Sequence, residues 1–285
     1  MTNELKRNDF ELAYAKEIIE GYFKPSHMDK DYIISKKFTD WLVGFKDGID
    51  FMLLYFKELF TGKMIWSELI RQIYQVGLNS LALISLTGFV TGMVFTQQSR
   101  PSLLEFGATS WIPSLVAISI IRALAPLVTS LIAAGKVGSR IGAELGSMKV
   151  TEQIDAMEVS AVKPFNYLVV TRVLACSISI PILSFYTGFV ALVGSFINVS
   201  LNEHTSLTAF ITDAFESIVY LDIFSALVKA ALYGFIIGIV GCYKGYNAEK
   251  GTLGVGMAAN SAVVRSIFLI FLVEIFVVQI TNWLR

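Results

Sequence analysis

The chain has 285 residues, of which 54% are hydrophobic and only 16% are charged, with 23 basic residues balancing 23 acidic ones. A soluble domain of this size carries nearer about a quarter charged residues, so the composition favours an all-α integral membrane protein with several spans. The zero net charge argues against a nucleic-acid partner, and the two cysteines and two histidines are too few and too scattered to predict a disulfide framework, a metal site or most histidine-based catalysis.

The first segment, 1–40, is polar and mixed in charge, without the pattern of a signal peptide, and we predict a cytoplasmic tail that is partly helical. In the next segment, 41–60, bulky apolar residues such as Phe45 and Ile49 recur at helical spacing, with charged residues between them. The charges make this segment a poor membrane span. We therefore predict an amphipathic helix that lies in the membrane interface.

Uncharged apolar runs then predict five membrane spans. No Asp, Glu, Lys or Arg occurs in the 28 residues 72–99, and about 20 apolar residues suffice to cross a bilayer. The predicted spans are 73–97, 110–134, 166–197, 221–243 and 260–283. The first and fourth spans contain Gly-x-x-x-Gly patterns, at Gly88 and Gly92 and at Gly234 and Gly238, which permit close approach of a neighbouring helix.

Loop charges predict the orientation of these spans. Segment 135–172 contains five basic residues, whereas segment 198–222 contains none and has four acidic residues. The positive-inside rule therefore places the N-terminus, 135–165 and 244–258 in the cytoplasm, and 198–222 and the C-terminus outside.

The segment between the second and third spans predicts a short cytoplasmic helix over 151–162. Thr151 is a plausible N-cap, and acidic Glu152 and Asp155 suit the positive end of a helix. Apolar residues recur at helical spacing at Val150, Ile154, Met157 and Ala161, and acidic residues lie on another side at Glu152, Asp155 and Glu158. This pattern alone fits equally a docking surface for a cytoplasmic partner and a solvated loop.

Three charged residues interrupt the spans: Arg122, Lys229 and Glu274. Each costs at least ~2.5 kcal/mol to place in a membrane, so such residues usually face a bundle interior or a wet cavity. One interpretation is a substrate cavity in which the two cations bind an anionic headgroup and Glu274 is their partner. The alternative is a structural ion pair, or side chains that extend to the membrane surface.

No nucleotide-binding loop is predicted. The glycine-rich segment 251–256 lacks a preceding strand and a Gly-Lys-Ser/Thr ending, so a tight turn into the fifth span is favoured. No histidine lies in a predicted span to activate a serine, which argues against a hydrolase. We expect no enzyme active site, cofactor or metal in this chain.

A longer pattern carries a family resemblance. The chain has Ala-Gly-Lys-Val-Gly at 134–138 and Ala-Glu-Leu-Gly-Ser-Met-Lys-Val-Thr-Glu-Gln-Ile-Asp-Ala-Met at 143–157, and this run closely resembles the MlaE-type permease family of ABC lipid transporters. Further matches lie at 77–81, 91–97, 167–175, 241–245, 254–258 and 262–264. The resemblance covers about residues 41–285 and leaves the tail 1–40 outside.

The chain departs from the family pattern at two positions. The family usually has an acidic residue after the arginine of its second span, where this chain has Ala123 after Arg122. Lys136 replaces the commoner arginine, and a lysine cannot make the bidentate contacts of a guanidinium.

The resemblance implies a homodimeric, non-catalytic permease in a bacterial inner membrane that moves phospholipids between the inner and outer membranes. Its implied partners are a cytoplasmic ABC ATPase, which binds the ATP, an MCE-domain protein on the periplasmic side and often a STAS-domain protein. It also implies that the helix near 151–162 couples to the ATPase. The residues expected at that contact are Thr151, Glu152, Gln153, Asp155, Met157 and Glu158.

Two other functions remain open from the residues alone. One is an ion-coupled secondary transporter that uses Arg122, Lys229 and Glu274, although such carriers commonly contain two internal repeats and none is evident in the sequence. The other is a membrane scaffold that recruits partners without transport.

Overall fold

The computed structural model describes residues 28–62 and 64–283, with side chains from residue 43 onward. These residues are helical almost throughout, and no strand occurs among them. The predicted all-α fold is therefore confirmed. The chain divides into two compact units, 1–51 and 52–285. Most of the predicted tail, 1–27, lies outside the described residues, and the predicted domain boundary at residue 40 stays a prediction.

The α-helices of the described residues are α1 Met28–Thr61, α2 Trp66–Glu105, α3 Ile112–Ser119, α4 Ala125–Ala133, α5 Ser139–Val150, α6 Gln153–Val159, α7 Thr171–Glu203, α8 Leu207–Glu216, α9 Tyr220–Tyr246 and α10 Thr252–Trp283. Three π-helical turns continue them, at Ile120–Leu124, Ala134–Gly138 and Phe165–Val170. Because the first two turns join α3, α4 and α5 without a break, one helical stretch runs from Thr109 to Val150.

Five helical stretches of the described residues are long and apolar enough to cross a membrane, as predicted. They are Trp66–Glu105, Thr109–Val150, Phe165–Glu203, Tyr220–Tyr246 and Thr252–Trp283. Each contains one predicted span but extends beyond it, because a helix continues into polar sequence where main-chain hydrogen bonds still form. The second shows this most clearly, since its helix passes the predicted end at residue 134 and continues to Val150.

Helix α7 lies at the centre of the bundle, and both Gly-x-x-x-Gly patterns pack against it. A Cβ added to Gly92 of α2 would overlap the main-chain carbonyl of Ala191, and one added to Gly238 of α9 would lie 2.7 Å from Cα of Val173. Ser195 Oγ donates a hydrogen bond of 3.1 Å to the Gly92 carbonyl across the same contact. The predicted close approach is confirmed, and glycine is needed because any side chain would separate the backbones.

The last turns of α1, within the second unit, pack against the membrane bundle. Tyr55 is buried, and its ring centre lies 5.6 Å from that of Phe235 in α9. The side-chain amide of Asn166, at the start of the third span, donates to the Glu58 carbonyl at 3.4 Å. Helix α1 begins earlier than the predicted residue 41, and its location in the membrane interface stays a prediction.

Candidate functional site

The three charged residues predicted inside the spans meet in one network, which we call the polar cluster: Arg122, Asp222, Lys229, Tyr233, Glu274 and Asn282. At its centre, Lys229 Nζ lies 2.9 Å from Glu274 Oε1, and Lys229 is only 1% exposed. Tyr233 donates its hydroxyl hydrogen to the other carboxylate oxygen of Glu274. A buried ion pair is tolerated when its remaining lone pairs are hydrogen-bonded, as they are here.

Arg122 lies in the π-helical turn Ile120–Leu124, and both its main chain and its side chain belong to the cluster. Its carbonyl accepts a hydrogen bond of 3.1 Å from Lys229 Nζ. Its guanidinium donates to Asn282 Oδ1 at 2.6 Å and lies 3.8 Å from the Asp222 carboxylate. The Arg122 side chain is 20% exposed, which makes it the more accessible of the two cations.

The cluster contains two cations and two carboxylates, so its formal charges cancel. The predicted Arg122, Lys229 and Glu274 are brought together, but Asp222, Tyr233 and Asn282 were not predicted from the sequence. A signal was present, because Asp222, Lys229 and Tyr233 lie seven and four positions apart and therefore share one face of α9. That the cluster lines a substrate cavity stays a prediction.

The short helix predicted over 151–162 is present as α6, but it is shorter than predicted and begins differently. Thr151 is not the N-cap, because its hydroxyl donates to the Ser147 carbonyl at 2.8 Å and so completes the end of α5. The N-cap is Glu152, which has a left-handed backbone with φ of 58° and no side-chain capping bond. The chain leaves α6 through a second left-handed residue, Ala161, which is why the helix ends at Val159 rather than near 162.

Helix α6 is held by few contacts and presents most of its surface outward. Ile154 is its one fully buried side chain, and Lys149 of α5 pairs with Asp155 at 3.0 Å. The predicted docking residues Thr151, Glu152, Gln153, Asp155 and Glu158 are exposed, and Met157 is half-buried. Val159, which sequence analysis missed, is 91% exposed. The outward surface of α6 therefore combines carboxylates with an apolar residue.

Comparisons with known proteins agree on one family. The family model described as permease MlaE matches residues 69–280. A probable ABC transporter permease protein of Rickettsia typhi is 36% identical over 222 residues, which cover 78% of this chain and 86% of the relative. One of Synechocystis is 35% identical over 229 residues, covering 80% and 86% of the two chains.

A plant protein is also similar. The chloroplastic protein TRIGALACTOSYLDIACYLGLYCEROL 1 of Arabidopsis thaliana is 32% identical over 217 residues, which cover 76% of this chain and 62% of the relative. The family match over 69–280 contains α6 and every member of the polar cluster except Asn282. This chain belongs to the MlaE permease family.

Proposed function

We propose that the chain is the permease subunit of an ATP-driven ABC transporter that moves phospholipids between the inner and outer membranes of a bacterium. The observation that carries this proposal is the family match over 69–280. Relatives named as probable ABC transporter permeases support the transporter class. A lipid cargo is supported by the name of the Arabidopsis relative, which contains that of a galactolipid.

The energy for transport enters through α6. In this proposal α6 docks on a separate cytoplasmic ATPase, which binds the ATP, so the permease needs no cofactor and catalyses no reaction. The exposed carboxylates Glu152, Asp155 and Glu158 complement a basic rim on the partner, and Val159 enters an apolar pocket of it. ATP binding then moves α6 and the spans behind it as rigid bodies.

This function requires α6 to face the cytoplasm, in agreement with the positive-inside rule. The N-terminus is then cytoplasmic and the C-terminus periplasmic, where an MCE-domain protein receives or delivers the lipid. Two copies of the permease form a homodimer around the lipid path, and a STAS-domain protein binds the ATPase. Within each copy, Arg122 contacts the headgroup, because its side chain is 20% exposed whereas Lys229 is buried.

The test uses proteoliposomes that contain the permease and its ATPase. We expect ATP-dependent transfer of a fluorescent phospholipid, and its loss together with ATPase binding when Glu152, Asp155 and Glu158 are all replaced by lysine. The matched control reverses Glu105, Asp213 and Glu216, three acidic residues distant from α6 in the sequence. Full ATPase binding and transport in the α6 variant would refute the docking surface.

The same vesicles test the ion-coupled carrier. That alternative is supported by the buried Lys229–Glu274 pair, because ionisable residues inside membrane spans often mark substrate or ion pathways. Transfer driven by a proton or sodium gradient without ATP would favour it. Transfer that needs ATP and is insensitive to both gradients would favour the ABC permease.

A further inference from the structure

A second polar site lies between the first three spans, on the side of the bundle where α6 begins. It is a cleft of about 400 Å3 to which α2, α5 and α7 each contribute an arginine: Arg71, Arg140 and Arg172. We call it the arginine cleft. Gln153, the first residue of α6, also lines it. None of these arginines belongs to the polar cluster.

Arg172 has a hydrogen-bonding capacity that the described residues do not use. It is 5% exposed, donates from Nη1 to the Leu168 carbonyl at 3.0 Å and reaches Glu144 Oε2 from Nη2 only at 3.5 Å. Its Nε is buried and has no partner among the described residues. An unsatisfied buried donor of a charged group is costly, so a ligand that accepts this hydrogen bond would stabilise the site.

The two carboxylates near the cleft do not balance its cations. Arg71 pairs with Glu68 at 2.9 Å, and Arg140 pairs with Glu144 at 2.6 Å. Among the described residues, Glu144 is also the only carboxylate within 4.0 Å of Arg172, so three guanidinium groups share two carboxylates there. Each guanidinium has five N–H donors in a planar fork, so several donors remain for a ligand.

A smaller cavity of about 90 Å3 adjoins the cleft and shares Arg140 and Glu144 with it. It adds a further cation, Lys136, whose Nζ donates only to the neutral carbonyl of Asn79 among the described residues. It also contains Ser80, whose buried Oγ has no partner there. Among the described residues, the two cavities together contain four cations and one carboxylate, Glu144, and a second carboxylate, Glu68, pairs with Arg71 beside them.

We propose that the arginine cleft binds a phosphate group, supplied either by a phospholipid headgroup or by free phosphate. Guanidinium groups bind phosphate oxygens in bidentate pairs, and the surplus of two positive charges matches an anion rather than a cation. Arg71 directly precedes the uncharged run 72–99, and Arg172 directly precedes the uncharged run 173–202. Lipid headgroups lie at the edge of the apolar core, where such runs meet polar sequence. The binding does not depend on the proposed function. If the ligand is a phospholipid headgroup, the cleft would be an entry site for cargo beside α6, and only this role rests on the proposed function.

The test measures how phosphate compounds protect individual arginines of the purified full-length chain in detergent. Phenylglyoxal modifies accessible arginines, and mass spectrometry quantifies the modification of each one. The probes are inorganic phosphate, dihexanoyl-phosphatidylglycerol and dihexanoylglycerol, which lacks phosphate. Arg100 is the internal control, because its side chain is 30% exposed and paired at 2.9 Å, while that of Arg140 is 35% exposed and paired at 2.6 Å.

We expect phosphatidylglycerol to slow modification of Arg71 and Arg140 at least fivefold and to leave Arg100 unchanged. Dihexanoylglycerol should protect none of them. Stronger protection by phosphatidylglycerol than by inorganic phosphate identifies a headgroup site, and the reverse identifies a free-phosphate site. The proposal would be overturned if neither phosphate probe slowed the modification of Arg71 and Arg140. It would also be overturned if Arg100 were protected as strongly as these two residues.

A variant gives an independent measurement. Arg140→Gln removes one fork without opening the buried core, and it should abolish protection of Arg71, whereas Arg100→Gln should preserve it. Unchanged protection of Arg71 in Arg140→Gln would contradict a shared site. The arginine-protection measurement uses the purified permease without an ATPase. Failure of lipid transport in proteoliposomes would therefore refute the proposed function without affecting this result.

Discussion

Lys229 of the fourth span and Glu274 of the fifth form an ion pair of 2.9 Å in which the lysine is 1% exposed. The pair links the two spans, and each charge would be costly to place in the membrane without the other. Lys229 is therefore fully occupied by contacts within the protein, and Arg122 is the more exposed cation of the polar cluster.

This relationship predicts a large difference between single and double substitutions. Lys229→Met leaves the Glu274 carboxylate buried without a cation, which should cost about 3–5 kcal/mol of stability. The double variant Lys229→Met with Glu274→Gln removes both charges and should recover most of this loss. Thermal unfolding of the purified permease in detergent checks this, and equal melting temperatures of the single and double variants would show that the pair is not coupled.

The contact between Asp222 and Arg122 predicts opposite effects on bound lipid. Asp222→Asn removes the competing carboxylate but keeps an acceptor for the Val219 amide, so Arg122 should retain more anionic phospholipid through purification. Arg122→Ala should retain less. Lipid analysis by mass spectrometry measures both, with Glu203→Gln, which releases Arg100, as the control. The same lipid content in all variants would contradict a headgroup role for Arg122.

The contact of α2 with α7 predicts that a glycine-to-alanine substitution in α2 lowers stability at one position and has little effect at another. Gly92→Ala would place Cβ against the Ala191 carbonyl and force the two helices apart, at a cost of about 1–3 kcal/mol. Gly77→Ala, in the same helix, meets nothing within 4 Å and should be neutral or slightly stabilising. Thermal unfolding compares them. Equal stability of the two variants would mean that α2 does not pack as described.

The exposed end of α6 predicts a specific loss of partner binding. Val159 is 91% exposed, so Val159→Asp should leave the permease folded but reduce co-purification of the ATPase at least tenfold. Tyr220 has the same exposure at the start of the fourth span, and Tyr220→Asp is the matched control. Equal recovery of the ATPase with both variants would exclude Val159 from the docking surface.

Much of the fold was predictable because the membrane imposes simple requirements on a sequence. Long uncharged runs indicated the five spans, and the glycine patterns indicated which of them pack closely. The cost of a charge in a membrane favoured an interior or a wet cavity for Arg122, Lys229 and Glu274, although it left open side chains that extend to the membrane surface. The neutral partners Tyr233 and Asn282 carry no such cost, so nothing in the hydropathy pattern marked them.

Other features depended on tertiary contacts. Thr151 has a residue type typical of an N-cap, but its hydroxyl bonds back to Ser147, a choice that the local sequence does not distinguish. The arginine cleft was missed because Arg140 and Arg172 were counted only among the basic residues of segment 135–172 that orient the spans, and Arg71 only marked the start of the uncharged run 72–99. A signal was nevertheless present in α2, where Glu68, Gln72, Gln75 and Asn79 form one polar face at helical spacing.

The uninterrupted helix from Thr109 to Val150 places Arg122 and Arg140 on one rod, 18 positions apart, or roughly 27 Å at a rise of about 1.5 Å per residue. If α6 docks on an ATPase as proposed, such a rod would act as a lever. A tilt imposed at its α6 end would then move Arg140 and Arg122 together, relative to the members of the cleft and of the cluster that lie on other helices. The arginine cleft and the polar cluster would then change together without a signal relayed through side chains.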